Sequence, residues 1–187
     1  AIIIFKEDKQ TKIIDLSKNF GHHKAIMTGL GHARGDLVFL IDVDLDEDPR
    51  YLKNFFSEIK KNDCDVIYGK QEIRRGNWFG VVLGTFFWKF FNKISGLSVA
   101  LNASTIRIMS RRYIDALLLH KENEVFLMGI WAITGFVQRP YSVSKKTHSK
   151  TSYTLAKKIH LAINAVTSFS NQPLITIFYS GVFILSI

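Results

Sequence analysis

A chain of 187 residues that is 47% hydrophobic and 22% charged can bury one substantial core and is too apolar to be disordered. Its net charge is +9, and the basic residues gather before an apolar C-terminus, which suits an anionic membrane surface better than a nucleic acid. The single cysteine, Cys64, excludes an internal disulfide and a cysteine-based zinc site.

The first third of the chain alternates predicted strands with predicted helices. Short apolar runs predict strands at residues 12–16, 37–41 and 65–69. Apolar residues at helical spacing predict helices at residues 22–32 and 49–61. Such alternation indicates βαβ units and a largely parallel sheet. His22 and His23 do not share a helix face, so we interpret them as a polar helix start rather than a joint metal site.

Two aspartates directly follow the apolar run 37–41. Asp42 and Asp44 are two positions apart, so in a strand both carboxylates project from one face, at the carboxyl end where open α/β sheets bind ligands. Two neighbouring carboxylates need a cation or a proton between them, and oxygen ligands suit Mg²⁺ or Mn²⁺ that also binds substrate phosphates. The pattern predicts a divalent metal holding a phosphorylated substrate.

The three acids that follow have a plainer interpretation. Asp46, Glu47 and Asp48 are predicted to be solvated or to cap the next helix. Asp48 stands before Pro49, the arrangement of an N-cap followed by proline at the first helical position. A metal is therefore expected only at the first two aspartates.

The remainder of the chain is richer in aromatic and basic residues. Residues 78–94 carry seven aromatic side chains and fit either a helix in a membrane interface or an ordinary buried helix. Later patterns predict extended structure at 98–108, helices at 111–120 and 125–134, a strand at 136–146 and a basic amphipathic helix at 153–169. The uncharged run 173–187 fits the start of a transmembrane helix or a buried core helix, although a full span needs about 20 residues.

Six short blocks stand out in order along the chain. They are LSKNFG at 16–21, GDLVFLIDVDL at 35–45, DVIYG at 65–69, RIMSRR at 107–112, SKTSY at 149–153 and TSFSNQP at 167–173. Together they resemble family 2 glycosyltransferases, and within that family the polyprenyl-phosphate branch, which is similar to dolichol-phosphate mannosyltransferase. The resemblance covers nearly the whole chain, and the order and spacing of the blocks carry it.

The resemblance implies a GT-A-like, Rossmann-like α/β fold with a mostly parallel sheet flanked by helices. The catalytic domain is expected at residues 1–146, a basic juxtamembrane loop and amphipathic helix at 147–172, and the start of a transmembrane helix at 173–187. The chain is expected to be truncated at both ends, with the first βα units of the domain missing. A homo-oligomer is left open.

The resemblance also implies a metal-dependent, inverting transfer of a sugar from a nucleotide-sugar donor to polyprenyl phosphate, at the cytoplasmic face of the inner membrane. In that reaction Asp42 and Asp44 hold Mg²⁺ or Mn²⁺ against the donor diphosphate, and Asp44 and Arg107 are catalytic. The further residues implied to bind substrate are Asp42, Arg111, Arg112, Lys150 and Tyr153. For the three arginines the alternative is the start of a surface helix, and for the loop 145–153 it is a basic linker.

One departure from the family pattern bears on the acceptor. Many relatives carry Asp-Ala-Gly-Asp where this chain has Asn-Ala-Ser-Thr at 102–105, so the acid proposed there as catalytic base is replaced by Thr105. A phosphate monoester has a second pKa of about 6 and needs no base at neutral pH, whereas a sugar hydroxyl would need one, such as Asp115 or Glu122. Thr105 therefore favours a lipid-phosphate acceptor.

Two other classes remain in view. The carboxylates at 42 and 44 would also suit a phosphohydrolase with an aspartyl nucleophile, although such an enzyme needs no basic helix leading to an apolar segment. The replaced base also fits a non-catalytic, membrane-anchored or degenerate transferase homologue. A phosphoenzyme would identify the first class, and binding without turnover would identify the second.

Overall fold

The computed structural model describes residues 10–44, 46–71, 78–97, 99–100, 102–121, 126–144, 166–167 and 172–186. Its strands are β1 (Leu37–Leu40), β2 (Val66–Gln71), β3 (Ala103–Ser110) and β4 (Gln138–Val143). Its helices are α1 (His22–His32), α2 (Tyr51–Lys61), α3 (Trp78–Ser95), α4 (Arg111–Leu117), α5 (Leu127–Ile133) and α6 (Gln172–Leu185). The predicted amphipathic helix at 153–169 and the loop at 145–153 lie almost wholly outside the described residues.

The four strands form one sheet in the order β1-β3-β2-β4. β1, β2 and β4 run in one direction, whereas β3 is antiparallel to both of its neighbours. The expectation of a largely parallel sheet is therefore wrong for the two ladders that β3 makes. The connection through α3, which packs beside α5 through Phe91 and Met128, begins and ends at the same end of the sheet. A connection of this kind makes its two strands antiparallel.

Most predicted elements are confirmed, with boundaries shifted by a few residues, but the first predicted strand is wrong. Residues 11–16 have no regular secondary structure, and Ile13 and Ile14 are 45% and 38% exposed. A strand exists only where a neighbour accepts its backbone hydrogen bonds, and these residues pair with no strand in the described sheet. An apolar run in the sequence is therefore not enough to predict a strand.

The sheet has a packed layer on each face. On the first face, Leu30 of α1 packs with Val66, Met109 and Tyr113. On the second face, Phe55 and Ile59, one turn apart on α2, pack with Ile67, Ile106 and Ile108. Because side chains alternate along a strand, Tyr68 and Arg107 belong to the first face, with Val66 and Met109.

The apolar α6 is widely exposed. Its exposed side chains include Leu174, Ile177, Phe178, Phe183 and Leu185. Within the described ranges, no helix is both long enough and apolar enough to cross a membrane. The transmembrane start at 173–187 therefore stays a prediction. The aromatic segment 78–94 is helical as predicted, with Phe91 buried and Phe86 68% exposed.

Candidate active site

Asp42 lies just beyond the carboxyl end of β1, on the first face of the sheet. Leu40, two residues earlier, is paired with Arg107 of β3, so the strand alternation places Asp42 on the same face as that arginine. The contact that Asp42 makes agrees with this placement, since its Oδ1 lies 3.5 Å from Nε2 of His22, at the start of α1. The side chain of Asp42 is 17% exposed. Asp42 is therefore held at the edge of the sheet, and its carboxylate remains partly accessible to solvent.

Asp44 shapes the loop that follows. Its Oδ1 accepts a hydrogen bond from the backbone N–H of Asp46 at 3.1 Å, which turns the chain back toward the sheet. Asp44 itself is exposed. The two predicted metal ligands are thus in one loop, one half-buried against α1 and the other facing solvent.

The prediction of surface charge at the next two acids is wrong. Asp46 is 8% exposed and Glu47 is 2% exposed. Glu47 Oε1 accepts a hydrogen bond from the hydroxyl of Ser104, 57 positions away near the start of β3. The positive charge of Arg107 acts favourably on the same carboxylate. These partners come from distant sequence, and they allow the acidic loop to fold inward.

Asp48 has a capping role, although not at the helix itself. Its Oδ1 accepts from the backbone N–H of Arg50 at 3.0 Å, and its carboxylate also binds the Arg50 guanidinium. α2 begins one residue later, at Tyr51. The side chain therefore stabilises the turn that leads into α2.

Arg107 is buried in the middle of the sheet, so the surface-helix alternative is wrong for this residue. It is 2% exposed, and its guanidinium donates to the carbonyls of Ser104 and Thr105, both at 3.3 Å. Its Cζ lies 3.0 Å from the ring centroid of Trp131. Burial lowers the pKa of Arg107 to about 9. In the part of the chain that the structure describes, no ion pair involves this arginine.

A cavity of about 230 Å³ opens beside Arg107. It is lined by Tyr68, Val99, Ala100, Ala103, Arg107, Met128, Trp131, Ala132, Gly135, Phe136 and Gln138. Burial raises the pKa of Tyr68, so its phenol stays protonated at neutral pH. Polar and apolar atoms contribute almost equally to the wall, and the arginine supplies its positive charge.

Arg111 and Arg112 lie at the other end of β3, beside the start of β1. Arg111 Nε donates to Asp115 at 3.0 Å, and its Nη1 donates to the carbonyl of Ala33 at 2.6 Å. The guanidinium of Arg112 binds the buried carboxylate of Asp65 through both oxygens. Five residues of extended chain span about 17 Å, which separates these arginines from Asp42. Their substrate-binding role stays a prediction, because the contacts seen here are structural.

The remaining predicted residues do not lie together at this site. Lys150, Tyr153 and Glu122 lie outside the described residues. Thr105 is half-buried on β3, and its carbonyl serves Arg107. Asp115 is exposed at the far end with Arg111. Among the described residues, Asp42 and Arg107 are placed on one face of the sheet, and neither Asp42 nor Asp44 lines the cavity beside Arg107.

Comparison with known proteins identifies the family of this chain. The sequence profile of glycosyl transferase family 2 matches residues 3–118. The chain belongs to glycosyl transferase family 2. The match spans the acidic loop and all of β3, so Asp42, Asp44 and Arg107 lie within the segment that the family shares.

The relatives of this family 2 chain are longer than the chain itself. A protein of Mycobacterium tuberculosis, whose name assigns it provisionally to the glycosyltransferases, is 43% identical over 192 residues, which cover 100% of this chain and 55% of that protein. The bactoprenol glucosyl transferase of Shigella phage SfV is 30% identical over 177 residues, 93% of this chain and 57% of that protein. The chain thus spans about half the length of these relatives.

A solved structure shows a weaker likeness. Mannosyl-3-phosphoglycerate synthase from Rubrobacter xylanophilus superposes with a TM-score of 0.46 at 15% identity, over 79% of this chain and 50% of that chain. A likeness of this size does not bear on function. The family membership rests on the sequence match.

The donor set of the acidic loop fits a metal that arrives with its substrate. Among the described residues, no group of three or more His, Cys, Asp or Glu side chains is arranged to hold a metal ion. Mg²⁺ is commonly held by one or two carboxylates, with substrate phosphates and water completing its shell. Asp42 and Asp44 supply such a partial set, so these two residues would hold the ion.

Sequence reasoning missed three residues at this site. His22 contacts Asp42, Glu47 is buried under the acidic loop, and Trp131 stacks on Arg107. His22 was interpreted as a polar helix start, which is confirmed, but no local pattern linked it to residue 42. Trp131 carries no sequence signal for the site, because it reaches Arg107 only through the packing of α5 on the sheet.

Proposed function

We propose that this protein is a metal-dependent, inverting glycosyltransferase that moves a sugar from a nucleotide-sugar donor to polyprenyl phosphate at the cytoplasmic face of a membrane. The observation that carries the proposal is one shared face of the sheet. Asp42 stands at the carboxyl end of β1, two residues beyond Leu40, which is the strand partner of the buried cation Arg107, in a chain that belongs to glycosyl transferase family 2.

The donor side of the proposal rests on the acidic loop. Asp42 and Asp44 would hold Mg²⁺ or Mn²⁺, which supplies neutralisation of the charge that develops on the departing nucleoside diphosphate. His22, whose Nε2 lies 3.5 Å from Asp42 Oδ1, contacts that carboxylate from the start of α1. The contact between Glu47 and Ser104 holds the loop to the start of β3.

The acceptor side rests on the chemistry of a phosphate monoester. A phosphate oxygen attacks the anomeric carbon, the bond to the nucleoside diphosphate breaks, and the configuration inverts. Because the phosphate is largely dianionic at neutral pH, no proton has to be removed, which suits a site with Thr105 in place of an acid. A cation beside the acceptor lowers its repulsion from the donor, and Arg107 would supply that charge.

The lipid nature of the acceptor is supported by relatives and by surface chemistry. The Shigella phage relative is named a bactoprenol glucosyl transferase. Phe86 and Phe90 of α3 stack and are exposed, next to the exposed Lys89 and Lys93. Aromatic and basic side chains together suit a headgroup layer that is anionic and half apolar.

Transfer to lipid in membranes tests the proposal. Intact protein in membranes receives labelled nucleotide sugars, Mn²⁺ and added polyprenyl phosphate, and label is counted in the lipid fraction. Asp44→Ala is compared with Asp36→Ala, an exposed aspartate at the other end of β1. We expect transfer to fall at least a hundredfold in Asp44→Ala, to be unchanged in Asp36→Ala, and to stop with a chelator.

Other outcomes would point elsewhere. Label released only as free sugar would replace transfer by hydrolysis. Transfer that survives Asp44→Ala and chelation would refute the metal role of the loop. Binding of nucleotide sugar and Mn²⁺ without any turnover would select the degenerate homologue.

A further inference from the structure

A histidine at the start of α1 lies beside the first aspartate of the acidic loop. α1 has eleven residues and is about 16 Å long, and the loop 33–36 returns the chain from its end to β1. The extended chain from Leu37 to Asp42 spans about 17 Å, so the start of α1 and the carboxyl end of β1 come level. Nε2 of His22 consequently lies 3.5 Å from Oδ1 of Asp42.

The turn before α1 sets the position of this histidine. The backbone N–H of Gly21 donates to Oδ1 of Asn19 at 2.9 Å, and Gly21 has a φ of 89°, which glycine adopts readily. The carbonyl of Gly21 then accepts from the N–H of Ala25 at 3.1 Å, in the first turn of the helix. Further along α1, Leu30 is buried in the core. His22 is therefore placed by a defined turn and a packed helix, and not by its contact with the acidic loop alone.

The two side chains are spaced almost like two ligands of one metal ion. Neighbouring ligands of an octahedral ion, each about 2.1 Å from it, lie about 3 Å apart. The distance between His22 Nε2 and Asp42 Oδ1 is only a few tenths of an ångström longer, and the side chain of His22, which is 58% exposed, can close this difference by a small rotation. An exposed ion pair contributes little to stability, so stability gives little reason for the contact.

The chemistry of this pair favours one ion over the other. Of the side chains that the structure describes, no three from His, Cys, Asp and Glu are grouped to hold a metal, so substrate phosphates and water would complete the shell. Mg²⁺ takes oxygen ligands, whereas the nitrogen of neutral imidazole is typical of transition metals. Since Mn²⁺ is a transition metal, an imidazole beside Asp42 shifts the preference of the site toward Mn²⁺.

We propose that His22 is a metal ligand, whose Nε2 binds Mn²⁺ together with the carboxylate of Asp42, and that this nitrogen makes the site prefer Mn²⁺ to Mg²⁺. The inference rests on the proposed function for the presence of a metal-bound donor diphosphate, and it names the ion of that site. His23 has a different surrounding, because its ring lies edge-on to Phe126 with the ring centroids 6.4 Å apart. The two adjacent histidines therefore act separately.

Pulsed EPR of bound Mn²⁺ reports a nitrogen ligand directly. Intact protein in nanodiscs receives less than one equivalent of Mn²⁺, with and without a nucleoside diphosphate, and the electron spin echo modulation from ¹⁴N is recorded. We expect this modulation in the wild type and in the matched control His23→Gln, and its loss in His22→Gln. Protein labelled with ¹⁵N-histidine should show the ¹⁵N pattern instead, which separates the imidazole from the nitrogen atoms of the nucleotide base.

Equilibrium binding of the two ions supplies an independent test. Loss of an outer-shell residue typically costs about tenfold to a hundredfold in metal affinity, and loss of a direct ligand should cost at least as much. We therefore expect His22→Gln to weaken Mn²⁺ binding by at least about tenfold and to leave Mg²⁺ binding nearly unchanged. His23→Gln should change neither affinity. Equal losses of Mn²⁺ and Mg²⁺ affinity in His22→Gln would show that His22 acts only on the position of Asp42, and would refute ligation.

The other results separate the possible explanations. Wild-type protein without histidine modulation, in the presence of the diphosphate, would overturn the proposal and leave an ion pair as the explanation of the contact. Modulation that persists in Asp42→Asn would show that a histidine elsewhere binds the ion adventitiously, and would overturn it too. Because neither measurement needs turnover, nitrogen-bound Mn²⁺ in a protein that transfers no sugar would refute the proposed function and leave the metal site standing. Sugar transfer without the nitrogen signal would do the reverse.

Discussion

Replacing Arg107 by methionine should stabilise the protein and abolish its activity. Methionine fills similar volume without a charge, so it removes the buried cation while keeping contact with the ring of Trp131. A residue that is kept for function at a cost to stability should give a variant that is more stable and less active. A residue that is kept for structure should give a variant that is less stable.

The size of the gain follows from the burial of the guanidinium. Burial lowers its pKa from the ordinary arginine value to about 9, which at about 1.4 kcal/mol per pH unit corresponds to about 5 kcal/mol of folding free energy. The variant loses two long hydrogen bonds and a cation–π contact, together worth about 3 kcal/mol. We therefore expect Arg107→Met to raise the free energy of unfolding by about 2 kcal/mol, or Tm by roughly 4–8 °C.

The pH dependence provides a further check. The pKa of Arg107 in the folded protein lies below its unfolded value, so the folding penalty is fully present below pH 9 and decreases as the pH rises above it. The stability difference between the variant and the wild type should accordingly be constant between pH 6 and 8 and shrink at pH 10.

Chemical denaturation and thermal melting of wild type and variant measure these quantities, alongside lipid-linked transfer. Arg139→Met is the matched control, because Arg139 is an exposed arginine on β4. It should leave Tm and transfer unchanged. If Arg107→Met instead destabilises the protein by more than 1 kcal/mol, the cation contributes to the fold and the reasoning fails.

Further predictions concern the far end of the sheet and its centre. Asp65→Asn should cost about 2–3 kcal/mol, because the buried carboxylate loses charge-assisted bonds from Arg112 and Ser110, whereas the exposed Asp115→Asn should stay within 0.5 kcal/mol. Burial raises the pKa of Asp65, but the bonds from Arg112 and Ser110 outweigh it and lower the pKa overall. The stability that the carboxylate contributes should therefore be present above about pH 4 and be lost as the pH falls further. A difference in unfolding free energy between wild type and variant that does not change with pH would contradict this. Gly69→Ala should cost about 1–3 kcal/mol, since a Cβ there would lie 2.5 Å from Cγ2 of Ile106. Gly29→Ala, on α1 with open space around it, should be neutral or slightly stabilising, and equal melting shifts for the two glycine variants would refute the packing argument.

The elements that could be predicted are those with a local signature. The helix His22–His32 and the strand at 65–69 were recognisable because apolar spacing reflects which side of an element is buried. The strand predicted at 12–16 is wrong, because an apolar run does not show whether a neighbouring strand is available for backbone hydrogen bonds. The direction of β3 failed for a related reason, since the path of α3 depends on what it packs against.

At the site, the sequence alone determined the family and the position of Asp42 and Asp44 after an apolar strand, because those features are written in consecutive residues. Only the tertiary structure decided that Glu47 is buried against Ser104 and that Arg107 shares a cavity with Trp131. These pairs are 57 and 24 positions apart, and the free energy of each side chain depends on a neighbour that local periodicity does not specify. Whether a charged side chain is buried depends on how the whole sheet packs, and the burial of Glu47 and Arg107 determines the electrostatics of this site.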